Sequence, residues 1–354
     1  MFRRLNTIPG LLKSIPNPLR IPETHVRVAM VGPRGAGKTS LLTAMYDRFG
    51  DVVGSADLAM RPEDDSVAAM LNDRMAQLLN LINDPACEGG ILGDAVEHIY
   101  QFAIGRRGFG TANPSFKIAF HDYPGGWLAG FEQSDAEASG NFRKIVDIVR
   151  QAEVAQIAID TPYLMEDDGR YHEARNRPRA VAELLRSAYS DGDSRQAEKL
   201  VIFSPVKCER YTATAKGRME LLDRVQMEYA ETFDVLKRCA SNRKILVAIT
   251  PVQTTGCVSF QDWMQTGDTS LPVRARYQVP SGNGVYQPRD SDQPLSYIIL
   301  FAMRQYKHNI ASSRIHAFVS DLFKLDTHIK EGFEYLASTC KSTDGFAAMD
   351  MGTQ

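Results

Sequence analysis

A run of nine residues, G-P-R-G-A-G-K-T-S over 32–40, holds the clearest chemistry of the chain. In its G-x-x-x-x-G-K-T spacing, Gly32, Gly35 and Gly37 free the backbone through Arg34, Ala36 and Lys38 to curl N–H groups around phosphate oxygens. Lys38 reaches the β- and γ-phosphates, the Thr39 hydroxyl takes a place beside Mg²⁺, and Ser40 leads into the helix whose positive end faces the ligand. Downstream, Asp122 opens D-Y-P-G over 122–125. A carboxylate at the carboxyl end of a strand, following such a loop, holds the metal through a water. The amides of Gly125 and Gly126 meet the γ-phosphate and register its loss. Together these residues describe a site for a nucleoside triphosphate and Mg²⁺.

Such a site needs a strand to launch the loop and a helix to receive it. Residues 25–31 alternate apolar and polar side chains as a strand does, and L-L-T-A-M-Y over 41–46 continues as a helix. Residues 51–54 break that pattern, and the 3.6-residue spacing of Val67, Met70, Leu71, Met75, Leu78, Leu79 and Ile82 predicts a second helix. Strands over 100–104 and 116–120 flank a turn rich in Gly, Asn and Pro, which predicts an antiparallel hairpin ending at Asp122. Then come a helix near 142–149, a strand over 154–159 closed by Asp160-Thr161-Pro162, and a polar loop over 164–173. A helix over 180–189 and a strand over 200–203 follow, the latter delivering V-K-C-E at 206–209. A long helix over 213–238, a strand over 245–249 and the loop T-P-V-Q-T-T-G over 250–256 complete the motif-bearing part. Residues 257–290 form a Gly- and Pro-rich insertion with a short strand over 274–279; helices over 295–306 and 317–336 precede a loose tail.

This order predicts an α/β fold of three layers, a P-loop NTPase fold. Its mostly parallel sheet has one antiparallel edge strand and helices on both faces. The ligand belongs at the carboxyl ends of the strands. The chain divides into a basic leader (1–24), a nucleotide-binding domain (25–310) with a helical insert (51–96) and an insertion (257–290), and a C-terminal helix and tail (311–354).

Composition narrows the classes. With 44% hydrophobic and 24% charged residues and a net charge of −2, the 354-residue chain is globular and carries no direct signal for nucleic acid. Five scattered cysteines without a C-x-x-C pair point to a reducing, cytoplasmic setting and to no zinc site. The longest apolar run, 297–303, is too short for a transmembrane segment. Two readings stay open for residues 1–24, where basic and apolar residues are interrupted by prolines. One is an arm for a membrane surface or a partner; the simpler one is a leader packed on its own domain.

G-P-R-G-A-G-K-T-S with D-Y-P-G-G-W resembles the translation-factor-related class of P-loop GTPases. Within that class it is most similar to bacterial double-GTPase proteins, whose members carry a D-Y-P-G-type second motif. The resemblance spans the ordered motifs over 26–256. It implies GTP and GDP as ligands with Mg²⁺, and a molecular switch. It also implies protein partners, a second GTPase or an activating protein, in a bacterial conflict or defence system. It gives Lys207 and Glu209 the base: the lysine stem lies on the purine face, and the acid accepts from guanine N1–H and the N2 amino group. It gives Thr250 a supporting place by guanine O6. Three departures stand out. Val206 replaces the leading Asn or Thr of the base motif, and Glu209 replaces its Asp. Gly126 stands where Ras-like members have a water-orienting glutamine. No threonine lies between Thr43 and Thr111 to cap the metal, with Ser55 and Ser66 the nearest hydroxyls. These departures imply slow hydrolysis aided by a residue in trans or by an arginine in cis, for which Arg106 and Arg107 are candidates beside a solvated-face reading. A nucleotide-dependent binding module with little turnover, or an ATPase or kinase with the same loop, are the alternatives.

Overall fold

The computed structural model describes residues 24–55, 58–83, 96–106, 116–131, 136–190, 198–267, 272–280, 284–312 and 327–352. The glycine-rich loop leaves strand β1 (Thr24–Val31) and enters helix α1 (Lys38–Ser55). Strand β2 (Leu58–Pro62) and helix α2 (Asp65–Asn83) precede the antiparallel pair β3 (His98–Arg106) and β4 (Phe116–Asp122). A 3₁₀ turn over Gly125–Phe131 leads into α3 (Ala136–Gln151) and β5 (Val154–Asp160). Short helices α4 (Thr161–Met165) and α5 (His172–Asn176) come before α6 (Pro178–Tyr189), β6 (Lys199–Val206), α7 (Ala215–Glu228), α8 (Ala230–Cys239) and β7 (Ile245–Ile249). The hairpin β8 (Ser259–Gln265) and β9 (Val273–Gln278), helices α9 (Asp292–Ser312) and α10 (Thr327–Thr339), and strand β10 (Ala347–Asp350) complete the chain.

Among the described residues, eight strands form one sheet in the order β10-β7-β6-β5-β1-β4-β3-β2. The central strands β4, β1, β5, β6 and β7 run parallel, which aligns Met30 with Asp122 and Asp160 with Val206. Three motif-bearing loops therefore leave the same edge. Alternation along β1 sorts side chains to the two faces. Val26, Val28 and Met30 pack with Leu41, Leu42 and Met45 of α1 and with Leu295, Ile298 and Ile299 of α9. Ala29 and Val31 face the opposite core, which holds Ile145 and Val149 of α3 and Leu184 and Leu185 of α6. Strands β5 and β6 are buried along their whole length, as expected of strands covered on both faces.

The three-layer, mostly parallel fold is the one the sequence implies, with antiparallel pairing at both sides of the sheet. Five local expectations change. The first helix runs on through 51–54 to Ser55, and β2 lies inside the stretch expected to be a helical insert. Residues 164–173 are not one loop but hold the ends of α4 and α5. The helix expected over 213–238 breaks at Tyr229, whose buried ring packs edge-on against His172 and Phe203. Residues 347–350 of the expected tail pair with β7, aligning Ala347 with Ile249. The hairpin turn with Thr111 and Arg107, and residues 1–23 and 313–326, lie outside the described residues. No helix among the described residues is long and apolar enough to cross a membrane.

Candidate nucleotide-binding site

The loop after β1 turns through left-handed backbone at Gly35 (φ 76°) and Gly37 (φ 103°). At Gly37 a Cβ would also lie 2.9 Å from Val206 Cγ2, so glycine is required there on two counts. The Ala36 amide donates to Pro33 O (3.2 Å), and α1 takes over as Leu41 N donates to Gly37 O (2.8 Å). Arg34 is exposed and Ala36 buried at the base of the loop, while Ser40 is half-buried in the first turn of α1.

Lys38 is only 7% exposed. Its ammonium donates to Gly32 O (3.1 Å) and lies 3.7 Å from Asp122 Oδ1. Burial pushes its pKa below the usual lysine range, and the Asp122 charge pulls it part of the way back. The Thr39 hydroxyl donates to Asp122 Oδ2 (2.7 Å). A hydroxyl and a carboxylate meeting at the loop are the hard oxygen donors that suit Mg²⁺. Among the described residues no group of three His, Cys, Asp or Glu could hold a metal, so Thr39 and Asp122 would hold an ion only with phosphate oxygens and water.

The segment after Asp122 is fitted to the loop from the other side. Tyr123 is buried beneath Lys38, whose Nζ is 5.4 Å from the ring centroid, and it stacks on Trp127 at 6.3 Å. Gly125 lies so close to the loop that a Cβ would overlap the Arg34 amide nitrogen and the Pro33 carbonyl carbon. Gly126 is exposed, with open space around the position its Cβ would take.

At the ends of β5 and β6 a second set of groups converges. Lys207, in left-handed backbone (φ 56°), donates to Asp160 Oδ2 (2.6 Å) and to Gly35 O (3.0 Å). It thereby ties the glycine-rich loop to the fully buried Asp160, whose Oδ1 has no hydrogen-bond partner. Two residues on, Glu209 Oε1 accepts from Thr255 N (3.1 Å), Thr255 Oγ1 (3.0 Å) and Gly256 N (3.3 Å). Its Oε2 is buried with no partner. Burial pushes the Glu209 carboxyl above the usual carboxylate range, and the bonds from Thr255 and Gly256 offset part of this. Thr250 lies directly after β7, fully buried, with its hydroxyl 3.2 Å from Ser204 Oγ of the neighbouring strand β6. The loop after β7 reaches Glu209 through Thr255 and Gly256 instead. The β8–β9 hairpin borders this side, with the Tyr277 ring centroid 5.7 Å from Lys207 Nζ and Trp263 packed on Tyr163 (4.8 Å).

By sequence Asp160 only closes a strand before Thr161-Pro162, and Arg175 belongs to no motif. Helix α5 is fastened to the end of β5 by Asn176, whose side-chain oxygen accepts from Asp160 N (2.8 Å). The Asn176 amide nitrogen donates to Asp160 O (3.0 Å) and to His172 Nδ1 (3.0 Å). This fastening carries a pH dependence. Burial, and then the nearby Arg224 charge, push His172 down from 6.5 to about 4. Between those values the unfolded chain binds a proton that the folded chain refuses, so stability is present above pH 6.5 and lost as pH falls. Denaturant melts are expected to show this loss approaching about 3 kcal/mol near pH 4. The same melts on His172→Gln should lack that component; an unchanged acid slope in the variant would rule it out.

No family model matches the chain, and no curated protein matches it. Among solved structures it is similar to the GTPase-like domain of S. cerevisiae Ski7 bound to GTP, at 15% identity and a TM-score of 0.38. The same domain bound to GDP and inorganic phosphate is 16% identical, again with a TM-score of 0.38. Each comparison covers 66% of this chain and 44% of the other, so the chain spans less than half the length of those chains. The fold and site define a three-layer α/β protein with a glycine-rich G-x-x-x-x-G-K-T loop at the carboxyl end of its first strand.

Proposed function

We propose that this chain binds GTP and GDP with Mg²⁺ and hydrolyses GTP slowly, working as a nucleotide-dependent switch. One observation carries the reading: Lys207 bridges to Gly35 of the phosphate loop, and Glu209, two residues on, keeps a buried carboxylate oxygen without a partner. A buried acceptor of that kind is costly until a donor meets it. Guanine offers N1–H and an N2 amino group on one edge; adenine has no N1–H and carries its amino group elsewhere. With the Lys207 stem along the base, Glu209 Oε2 accepts from guanine while Thr255 and Gly256 hold Oε1.

At the other end, Lys38 exchanges Gly32 O for phosphate oxygens, and the loop amides turn to the same group. Mg²⁺, when bound, neutralises charge on the β- and γ-phosphates, with Thr39 and Asp122 as its protein partners. In hydrolysis a water adds to the γ-phosphorus, and the bond to the β–γ bridging oxygen breaks. That oxygen leaves on GDP with the electron pair, and the proton of the water passes to phosphate and solvent. Gly126 brings no side chain to orient the water, so turnover is slow. The same feature favours a second reading, a binding module with little hydrolysis.

Binding of GTP, ATP and xanthosine triphosphate to the wild type and to Glu209→Asn tests the base. GTP is expected to bind at least about 100-fold more tightly than ATP, since a paired buried polar group discriminates strongly. Glu209→Asn should shift preference from GTP toward xanthosine triphosphate. Equal binding of ATP and GTP, with no effect of the substitution, would overturn guanine recognition. Single-turnover phosphate release in Mg²⁺ separates the two readings: none at all leaves the binding module.

A further inference from the structure

We infer that Arg175 contacts the phosphates of the bound nucleotide, a second cation that the chain supplies in cis above the phosphate loop. The inference rests on the nucleotide reading of the site. A Cβ built on Gly35 would run into Arg175 Nη2 and lie within 3.5 Å of Nη1, so the fork of the guanidinium sits directly over the loop. Arg175 comes from outside the motifs, on α5, yet its place is firmly set. Asn176 next to it is bonded to both the N–H and the C=O of Asp160. The guanidinium lies over the Tyr163 ring at 5.1 Å, and its Nε is 3.6 Å from Asp160 Oδ2.

A purely structural role for Arg175 would be to neutralise Asp160, but that task is already filled. Lys207 Nζ bonds Asp160 Oδ2 at 2.6 Å, closer than Arg175 comes. Burial pushes the Lys207 ammonium down and the Arg175 charge adds to this, while Asp160 and, more weakly, Glu209 pull it back, so Arg175 is crowded by a second cation rather than needed as a counter-charge. Nε faces the carboxylate at 3.6 Å without a hydrogen bond to it, and the Nη1 and Nη2 side of the fork is turned to Gly35. Four N–H donors in a rigid fork, poised over a loop built to hold phosphate, match the geometry in which arginine binds phosphate oxygens. Phosphate oxygens of the nucleotide would give that fork its acceptors.

Calorimetric titration of GTP into the wild type, Arg175→Ala and Arg175→Gln tests this, with melting curves of each nucleotide-free protein. Both substitutions are expected to weaken GTP about 10- to 100-fold, the range of lost charge-assisted hydrogen bonds, and to reduce the salt dependence of binding. The nucleotide-free melting temperatures should stay close to that of the wild type. Wild-type affinity in both variants overturns the inference. So does a loss of affinity matched by an equal loss of nucleotide-free stability, which marks a structural role. If the wild type binds GTP no better than Lys38→Ala does, the nucleotide reading itself fails, and this inference with it.

Discussion

Lys38→Ala is expected to remove GTP binding by two to three orders of magnitude, the largest effect of any single change at this site. Without ligand, the Lys38 ammonium is almost fully withdrawn from water and has one backbone carbonyl and a carboxylate 3.7 Å away as compensation. Its depressed pKa shows that the compensation is incomplete. Phosphate oxygens complete it, and each charged hydrogen bond formed there is worth about 1.5–3 kcal/mol. Losing two of them at the lower end of that value, about 3–4 kcal/mol in all, gives the stated range. The measurement best suited to this is the stabilisation produced by ligand, because it is independent of what the substitution does to the nucleotide-free fold. At free GTP near 100 times its Kd, the wild type should gain about 2.7 kcal/mol in unfolding free energy. At the same concentration the variant should gain almost none. A variant that keeps the full gain would show that the loop does not hold the phosphates through Lys38.

How early each part of this site can be read depends on the distance over which its signal acts. The glycine-rich loop and Asp122 are legible because a strand end, a glycine turn and a helix start are local signals. Lys207 and Glu209 are legible only by their place at a strand end, since K-C-E says little alone. The loop after β7 shows the limit of that method. The chain does not leave the sheet at Thr250; Val252 N still donates to Pro205 O (2.8 Å), so the residues that meet Glu209 are Thr255 and Gly256. Arg175 is not legible at all. It lies on a five-residue helix with no apolar period, brought to Gly35 by the hydrogen bonds of Asn176 to a strand end 16 residues earlier. Strands β2 and β10 fail for a related reason: five and four residues give too little alternation to show, and their pairing partners decide them.

The two halves of the site are also joined to each other before any ligand arrives. Lys207 holds Gly35 from the β6 side, and Gly125 presses on Pro33 and Arg34 from the β4 side. The glycine-rich loop is thus clamped between the segments that follow β6 and β4. A change in either segment is felt in the loop by direct contact, with no relay through the core.

Gly125→Ala puts that clamp under the most severe strain a single methyl group can apply. The added carbon would overlap the Arg34 nitrogen and Cα and the Pro33 carbonyl carbon, all backbone atoms that have no rotamer to turn away. The 3₁₀ turn over Gly125–Phe131 must then lift from the loop, taking Tyr123 and Trp127, stacked beneath Lys38, with it. Overpacking of this kind costs about 1–3 kcal/mol of folding stability. In the nucleotide-bound protein the displaced Gly125 amide no longer meets the γ-phosphate, so single-turnover GTP hydrolysis should fall by about 100-fold or more, as for a lost oxyanion donor. GDP, which has no γ-phosphate, should lose less affinity than GTP. Gly126→Ala is the control, one residue away in open space, and should stay within about 0.5 kcal/mol of the wild type. Denaturant melts, titrations with GTP and GDP, and single-turnover assays on the two variants make the comparison. If both alanines behave alike, Gly125 is not pressed on the loop in solution, and the contact by which the second motif would sense the γ-phosphate is lost with it.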